Sequence, residues 1–153
     1  MAGSVVETLS VAVLVGTGLV AGVLFAVAIS VVPALIAMTP EHYVATHKLL
    51  GRHYDRIMPF VVAGSTLADL VLAVRAEGPP RLLFGAAVVC MAGVAAVSQT
   101  RNVPINRRVK ATGPADLGPG WQDPRPQWRD WHLVRTCCAA AGCTLTAAAV
   151  VLS

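Results

Sequence analysis

From Thr8 to Pro40 the chain runs for 33 consecutive residues without an Asp, Glu, Lys or Arg. About 20 apolar residues suffice to cross the hydrocarbon core of a bilayer, so this run commits the chain to a membrane. The rest of the sequence agrees. Of its 153 residues, 56% are hydrophobic and 13% charged, whereas soluble domains are roughly a quarter charged. No Lys or Arg precedes the run, and it is far longer than a signal-peptide core, so it reads as a retained first span from about Val5 to Met38. Gly18 and Gly22, four apart, suit close helix packing in lipid and leave room for a homo-oligomer. Pro33, which lacks an amide donor and crowds the preceding turn, is expected to kink or end the span.

Three more apolar segments follow, at about Met58 to Val74, Leu82 to Gln99 and Trp131 to Leu152. Gly78-Pro79-Pro80 in the short connection from Arg75 to Arg81 reads as a helix stop, which makes spans two and three an antiparallel hairpin. Thr39-Pro40-Glu41 is a helix start and predicts an interfacial helix before span two. Residues 111–127 hold Gly113, Pro114, Gly118, Pro119, Gly120, Pro124 and Pro126, a long loop able to act as a lid. The expected fold is therefore all-α. It is a single four-transmembrane-helix bundle over residues 1–153, with an interfacial helix after span one and a Gly/Pro-rich loop between spans three and four.

Four crossings put both termini and the Pro79 turn on one side and both long connections on the other. The long connections and adjoining helix ends carry ten basic residues: Lys48, Arg52, Arg56, Arg101, Arg107, Arg108, Lys110, Arg125, Arg129 and Arg135. The opposite side carries Arg75 and Arg81. By the positive-inside rule the long connections are expected in the cytoplasm and both termini outside. The net charge of +4 is then a topological signal, with the lipid bilayer as partner and no nucleic acid implied. Cys90, Cys137, Cys138 and Cys143 all lie in apolar runs without CxxC spacing, as small packing residues do.

All four histidines, both tyrosines, all three tryptophans and five of the eight carboxylates fall at the basic face. Either a site gathers there, or the long loops are simply where polar residues can go. His47, Gly51, Tyr54 and Met58 recur at helical spacing, so one stripe carries an imidazole and a phenol; an interfacial Tyr also serves as a headgroup anchor. On one straight helix His42 and His53 lie roughly 16 Å apart, and His47 points about 120° to 140° away from either. A metal would thus need one of them together with His132 and a carboxylate. Asn102-Val103-Pro104-Ile105-Asn106 ends span three, since Pro104 disfavours helix at Val103. Its amides either cap that turn or hold a ligand carbonyl. Trp128-Arg129-Asp130-Trp131-His132-Leu133-Val134-Arg135-Thr136 opens span four and sets His132, Arg135 and Thr136 on one helical face. That is an acid/base, a cation and a hydroxyl together, or a snorkelling Arg within a Trp belt. Asp69 stands inside span two, where a carboxylate is expensive and by default functional; Ser65, Thr66 and Thr17 are the hydroxyls expected near it.

Taken together, Val32-Pro33-Ala34-Leu35, Arg52-His53-Tyr54-Asp55-Arg56-Ile57-Met58-Pro59, the Asn-x-Pro-Ile-Asn run and Trp128 with His132, Arg135 and Thr136 resemble the anthrone oxygenase-like family of small four-helix membrane proteins. The resemblance implies an oxygenase acting on a small apolar aromatic substrate at the cytoplasmic membrane face; characterised members oxidise an anthrone to an anthraquinone. Its implied site residues are Asn102, Asn106, His132 and Arg135, with His47 and Asp55 as companions. In that scheme His132 or Asp55 is the base, Arg135 with Asn102 and Asn106 stabilises an enolate oxygen, and Trp128, Trp131 and Tyr54 wall an apolar slot. Cofactor-independent oxygenation and a metal or haem held partly by His47 and His132 are both compatible with it. A non-catalytic membrane scaffold and a small transporter using Asp69 are the competing classes.

Overall fold

The computed structural model describes residues 2–153, and the side chains of residues 4–50 and 54–153; the side chains of Arg52 and His53 in the second motif lie outside the described residues. Four helical segments are long and apolar enough to cross a bilayer, Ser4–Ala37, Tyr54–Arg75, Gly78–Ala111 and Arg125–Val151, so this is a membrane protein. The helices are α1 (Ala2–Ala26), α2 (Val32–Ala37), α3 (Pro40–Arg75), α4 (Gly78–Val97), α5 (Val103–Ala111) and α6 (Arg125–Val151). No strand occurs among the described residues.

The helical segments run on further than the sequence predicts. The helix expected to lie in the interface after span one is the first half of α3 and runs unbroken into span two for 36 residues in all. At 1.5 Å per residue that is roughly 54 Å, well beyond a hydrocarbon core of about 30 Å. Gly78-Pro79-Pro80 starts α4 rather than stopping α3. Proline at the first helical positions has no amide that the helix needs, and Gly78 takes the left-handed φ of +62° that reverses the chain.

Pro33 and Pro104 end neither of their spans. Each lies two residues beyond a π-helical turn, Val27–Val31 before Pro33 and Ser98–Asn102 before Pro104. A proline ring collides with the carbonyl four residues back and gives it no hydrogen bond. Those carbonyls belong to Ile29 and Thr100, both inside the widened turns, where an extra residue per turn moves the carbonyl aside. The helix thus survives the proline at the cost of a local bulge.

α1 packs on α3 and α6, and α4 packs on α3 and α6, which closes a four-membered ring. Its core is layered. Val13, Leu72, Phe84 and Ala149 fill one end, Val20, Leu24, Val62, Met91 and Ala139 the middle, and Val32, Tyr43, Ile105, Val109 and Trp128 the other end. The Gly18 and Gly22 pair does not make the close helix contact expected of it, since nothing lies within 4 Å of where their Cβ atoms would stand. Gly16 does that work against Ser65 of α3, and Gly142 against Cys90 and Met91 of α4. Asp69 is fully buried, and its partner is none of the three hydroxyls expected. Thr146 of α6 donates to its Oδ1 at 2.9 Å, while Thr17 and Thr66 spend their hydroxyl hydrogens on the carbonyls of Val13 and Val62.

The Gly/Pro-rich loop is tied down at both ends. Lys48 donates to the Thr112 carbonyl at 2.7 Å, and Leu117 and Trp121 pack on the Tyr43 cluster. Arg125 reaches across to the end of α2, donating to the carbonyls of Leu35, Ile36 and Met38, while Asp123 pairs with the same guanidinium. These carbonyls belong to the last turn of span one, where a cation is favoured by the helix dipole.

Gly16→Leu is expected to destabilise the bundle by about 1–3 kcal/mol, because the side chain must push α1 off Ser65. Gly22→Leu is expected to change stability by no more than about 0.5 kcal/mol. Thermal unfolding of both variants in detergent measures the contrast.

Candidate functional site

A cavity of about 890 Å³ opens inside the bundle. α1 lines it with Leu24 and the adjoining π turn with Val27 and Val31; α3 contributes His47, Tyr54, Asp55, Met58 and Val62; Ser98 and Gln99 come from the second π turn, Asn106, Arg107 and Lys110 from α5, and Trp128 and Arg135 from α6. Both proline-induced bulges therefore face the same space, in keeping with the frequent placement of π turns at functional sites. Polar groups cluster toward one end, where Lys110 forms an ion pair with Asp55; the remaining walls are aliphatic.

Asn106 organises the upper wall. Its Oδ1 accepts from the Trp128 indole at 3.0 Å and from His47 Nε2 at 3.1 Å. An indole N–H can only donate, so the atom it meets is the amide oxygen. The nitrogen of His47 that shares that oxygen must then carry the ring proton. Neutral His47 is left with its lone pair on Nδ1. Its ring is held edge-on between Tyr43 and Trp128, at centroid distances of 5.4 and 5.7 Å. Burial pushes the His47 pKa below the ordinary imidazole range, with Lys110 adding to the shift and the Asn106 bond and Asp55 opposing it. The Nδ2 of Asn106 has no hydrogen-bond partner among the described residues.

Arg135 forms the second polar centre. Its Nε and Nη2 both approach His132 Nδ1, at 3.1 and 2.8 Å, and Nη1 donates to Ser98 Oγ at 3.3 Å. Ser98 in turn donates to the Val94 carbonyl. His132 Nε2 donates to the Leu24 carbonyl at 3.0 Å, which fixes the other nitrogen as an acceptor and the imidazole as neutral. No carboxylate lies within ion-pair distance of Arg135 among the described residues. Of its five N–H groups, one on Nη1 and one on Nη2 remain free.

Six of the residues singled out in the sequence meet at this cavity: His47, Tyr54, Asp55, Asn106, Trp128 and Arg135. Three do not line it. His132 is fully buried, stacked 5.3 Å from the Trp128 ring, with both nitrogens engaged, so neither a free base nor a metal ligand is left. Asn102 is buried behind the wall and donates to the Trp128 carbonyl at 3.2 Å. Trp131 lies under the Arg101 guanidinium, 4.7 Å from the ring centroid. The indole of Trp128 contacts the rings of both His47 and His132. Among the described residues no group of three His, Cys, Asp or Glu side chains gathers as metal ligands would.

The family model described as Anthrone oxygenase matches residues 47–145. The chain belongs to the anthrone oxygenase family. No curated protein and no solved structure matches it. The matched region begins at His47 and carries every polar wall residue of the cavity; α1 and α2, the latter with Val32-Pro33-Ala34-Leu35, lie before it. Sequence reasoning missed Ser98, Gln99, Arg107 and Lys110 in this anthrone oxygenase-family cavity. The expected end of span three at Asn102 to Asn106 hid Arg107 and Lys110, which lie beyond it on α5.

Because His47 is buried neutral, the unfolded chain binds a proton there before the folded one does. Stability is therefore expected to fall as pH drops below about 6.5, and to stop falling once pH passes below the depressed folded pKa. His47→Gln removes that slope while Gln keeps a donor for Asn106, and unfolding titrations of both proteins across that range measure the difference.

Proposed function

We propose that this protein is a membrane-embedded oxygenase that oxidises a flat, weakly acidic aromatic ketone of the anthrone type within the cavity. The observation that carries the reading is Arg135, a guanidinium on an apolar cavity wall with two free N–H groups and a neutral imidazole where a carboxylate would ordinarily stand. Such a cation is set for charge that develops on a ligand, where preorganised donors contribute most. His47 supplies the complementary base. Trp128, which shares its level, precedes Arg135 by seven residues, roughly 10 Å of axial rise, which leaves room for a fused ring system between them.

The chemistry is atom-balanced without an external reductant. His47 Nδ1 takes a proton from the methylene carbon opposite the ketone, and the electron pair moves to the ketone oxygen, held by Arg135 as an enolate. Molecular oxygen then bonds to that carbon and is protonated to a hydroperoxide. Loss of water leaves a second carbonyl, so one anthrone and one O2 give one anthraquinone and one water. His132 is a positioning residue that keeps the guanidinium aimed, and the Asn106 Nδ2 offers a further donor to a substrate oxygen. This scheme replaces the His132 base with His47 and needs no metal shared by the two histidines.

The concentration of Lys and Arg at the cavity end supports placing that end in the cytoplasm, with both termini outside. A cysteine replacing Gly118 is then expected to be labelled by a membrane-impermeant maleimide only after permeabilisation, and one replacing Glu77 in intact cells. For the reaction itself, Arg135→Ala is expected to lower anthrone-dependent oxygen uptake about 10²–10³-fold and His47→Gln about 10²–10⁴-fold, in protein that remains folded. Undiminished uptake in both variants would overturn the assignment.

A further inference from the structure

One face of α5 lines the cavity. Val103, Asn106, Arg107 and Lys110, spaced i, i+3, i+4 and i+7, all belong to its wall, while Ile105 and Val109 are buried in one cluster with Tyr43 and Trp128. What this face has left for a ligand is donors alone. The Asn106 oxygen already accepts twice and its Nδ2 is without a partner among the described residues, and Arg and Lys side chains have no acceptor. Asp55, the one carboxylate on the wall among the described residues, is paired with Lys110. Arg107 has no such match: its guanidinium makes no hydrogen bond or ion pair among the described residues.

Against Asp55 the wall therefore sets Arg107, Lys110 and Arg135, with His47 neutral, and carries a surplus of positive charge. In the proposed reaction Arg135 is matched by the enolate oxygen, which leaves Arg107 as the cation without a counterpart. The two guanidinium groups stand at different levels. Arg135 bonds Ser98, and Ser98 precedes Arg107 by nine residues, roughly 13 Å of axial rise along span three. Arg107 is exposed and Arg135 only partly so.

We propose that Arg107 binds a carboxylate carried on an outer ring of the substrate, which makes the ligand class an anthrone-type ketone with an ionised acid group on the edge away from the ketone. This rests on the proposed oxygenase reading for the ketone end and adds a second anchor to it. A carboxylate offers two oxygens to the fork of one guanidinium. Anchored by Arg135 at the ketone and Arg107 at the acid, the rings turn their methylene carbon toward His47, which the neighbour of Arg107, Asn106, holds in place. Burying a charge is expensive, so the acid group stays at the exposed end and the ketone enters first. Lipid phosphate is the other anion at hand. Arg101 and Arg108 are exposed and off the cavity, placed for headgroups, whereas Arg107 shares the cavity wall with Asn106 and His47.

The test uses the full chain in phosphatidylcholine nanodiscs with two probes, an anthrone bearing a carboxyl group on an outer ring and the methyl ester of the same acid, at a pH where the acid is ionised. Binding is read by tryptophan quenching, to which Trp128 on the wall contributes, and turnover by oxygen uptake. Arg107→Gln is compared with Arg108→Gln, which removes the same charge from the same helix but off the cavity; with no side-chain partner to lose, Arg107 can be replaced without loss of the fold. Arg107→Gln is expected to lower the preference for the acid over the ester by about 10–100-fold, and Arg108→Gln to change it by no more than about twofold. An equal lowering in both variants assigns the effect to surface charge, and an unchanged preference in Arg107→Gln assigns Arg107 to lipid phosphate or solvent; either overturns the proposal. A lowering confined to Arg107→Gln, with no oxygen uptake by the wild-type protein, upholds the carboxylate site and overturns the oxygenase reading. Uptake without that selective loss does the reverse, and failure of both probes to bind overturns both.

Discussion

Arg135 lies inside a helix bundle with no carboxylate among the described residues close enough to pair with it, and the neutral imidazole of His132 holds it in place. That imidazole spends its proton on the Leu24 carbonyl of α1 and its lone pair on the guanidinium, which continues to Ser98 beyond α4. Three helices are thereby joined through one hydrogen-bonded chain whose direction of donation is fixed at every step. In an apolar medium an unpaired polar group costs several kcal/mol, so each member holds the next in register. The charge itself is left over, and it faces the cavity.

Both turns that precede a proline at a span's end line the cavity. A proline in a span must either break the helix, exposing backbone polar groups to lipid, or distort it locally. Here both Pro33 and Pro104 take the second course, and residues of the widened turns before them line the same space. Pro59, inside α3 and on the same cavity wall, has no such turn, so the bulges are one contributor to the hollow. Around that hollow Asn106, with two donors on one oxygen, fixes Trp128 and the tautomer of His47 together.

The number of spans was legible because a charge-free run longer than a bilayer is wide has few alternatives, and the gathering of reactive residues at one end followed from counting crossings. What the sequence hid was set by partners far along the chain. Thr146 as the companion of Asp69 comes from a helix 77 residues away, and no local pattern announces it. Gly18 and Gly22 match a packing motif in spacing, yet the neighbour helix meets Gly16 instead. His132 is conspicuous in the sequence for its penetration of an apolar span, but that its proton goes to Leu24 and its lone pair to Arg135 is a fact of rotamer and not of spacing. Pro104 misled most: the expected end of span three before it concealed that the helix runs on to Ala111, whereas span one ends close to the Met38 expected of it.

Arg125 binds three carbonyls at the end of the first span from the start of the last, some 90 residues later in the chain. During synthesis the end of span one therefore waits with its terminal acceptors open until nearly the whole protein has been made. The clasp becomes available only when the last span begins, so a chain that stalls after three spans carries an uncapped terminus as the mark of its own incompleteness.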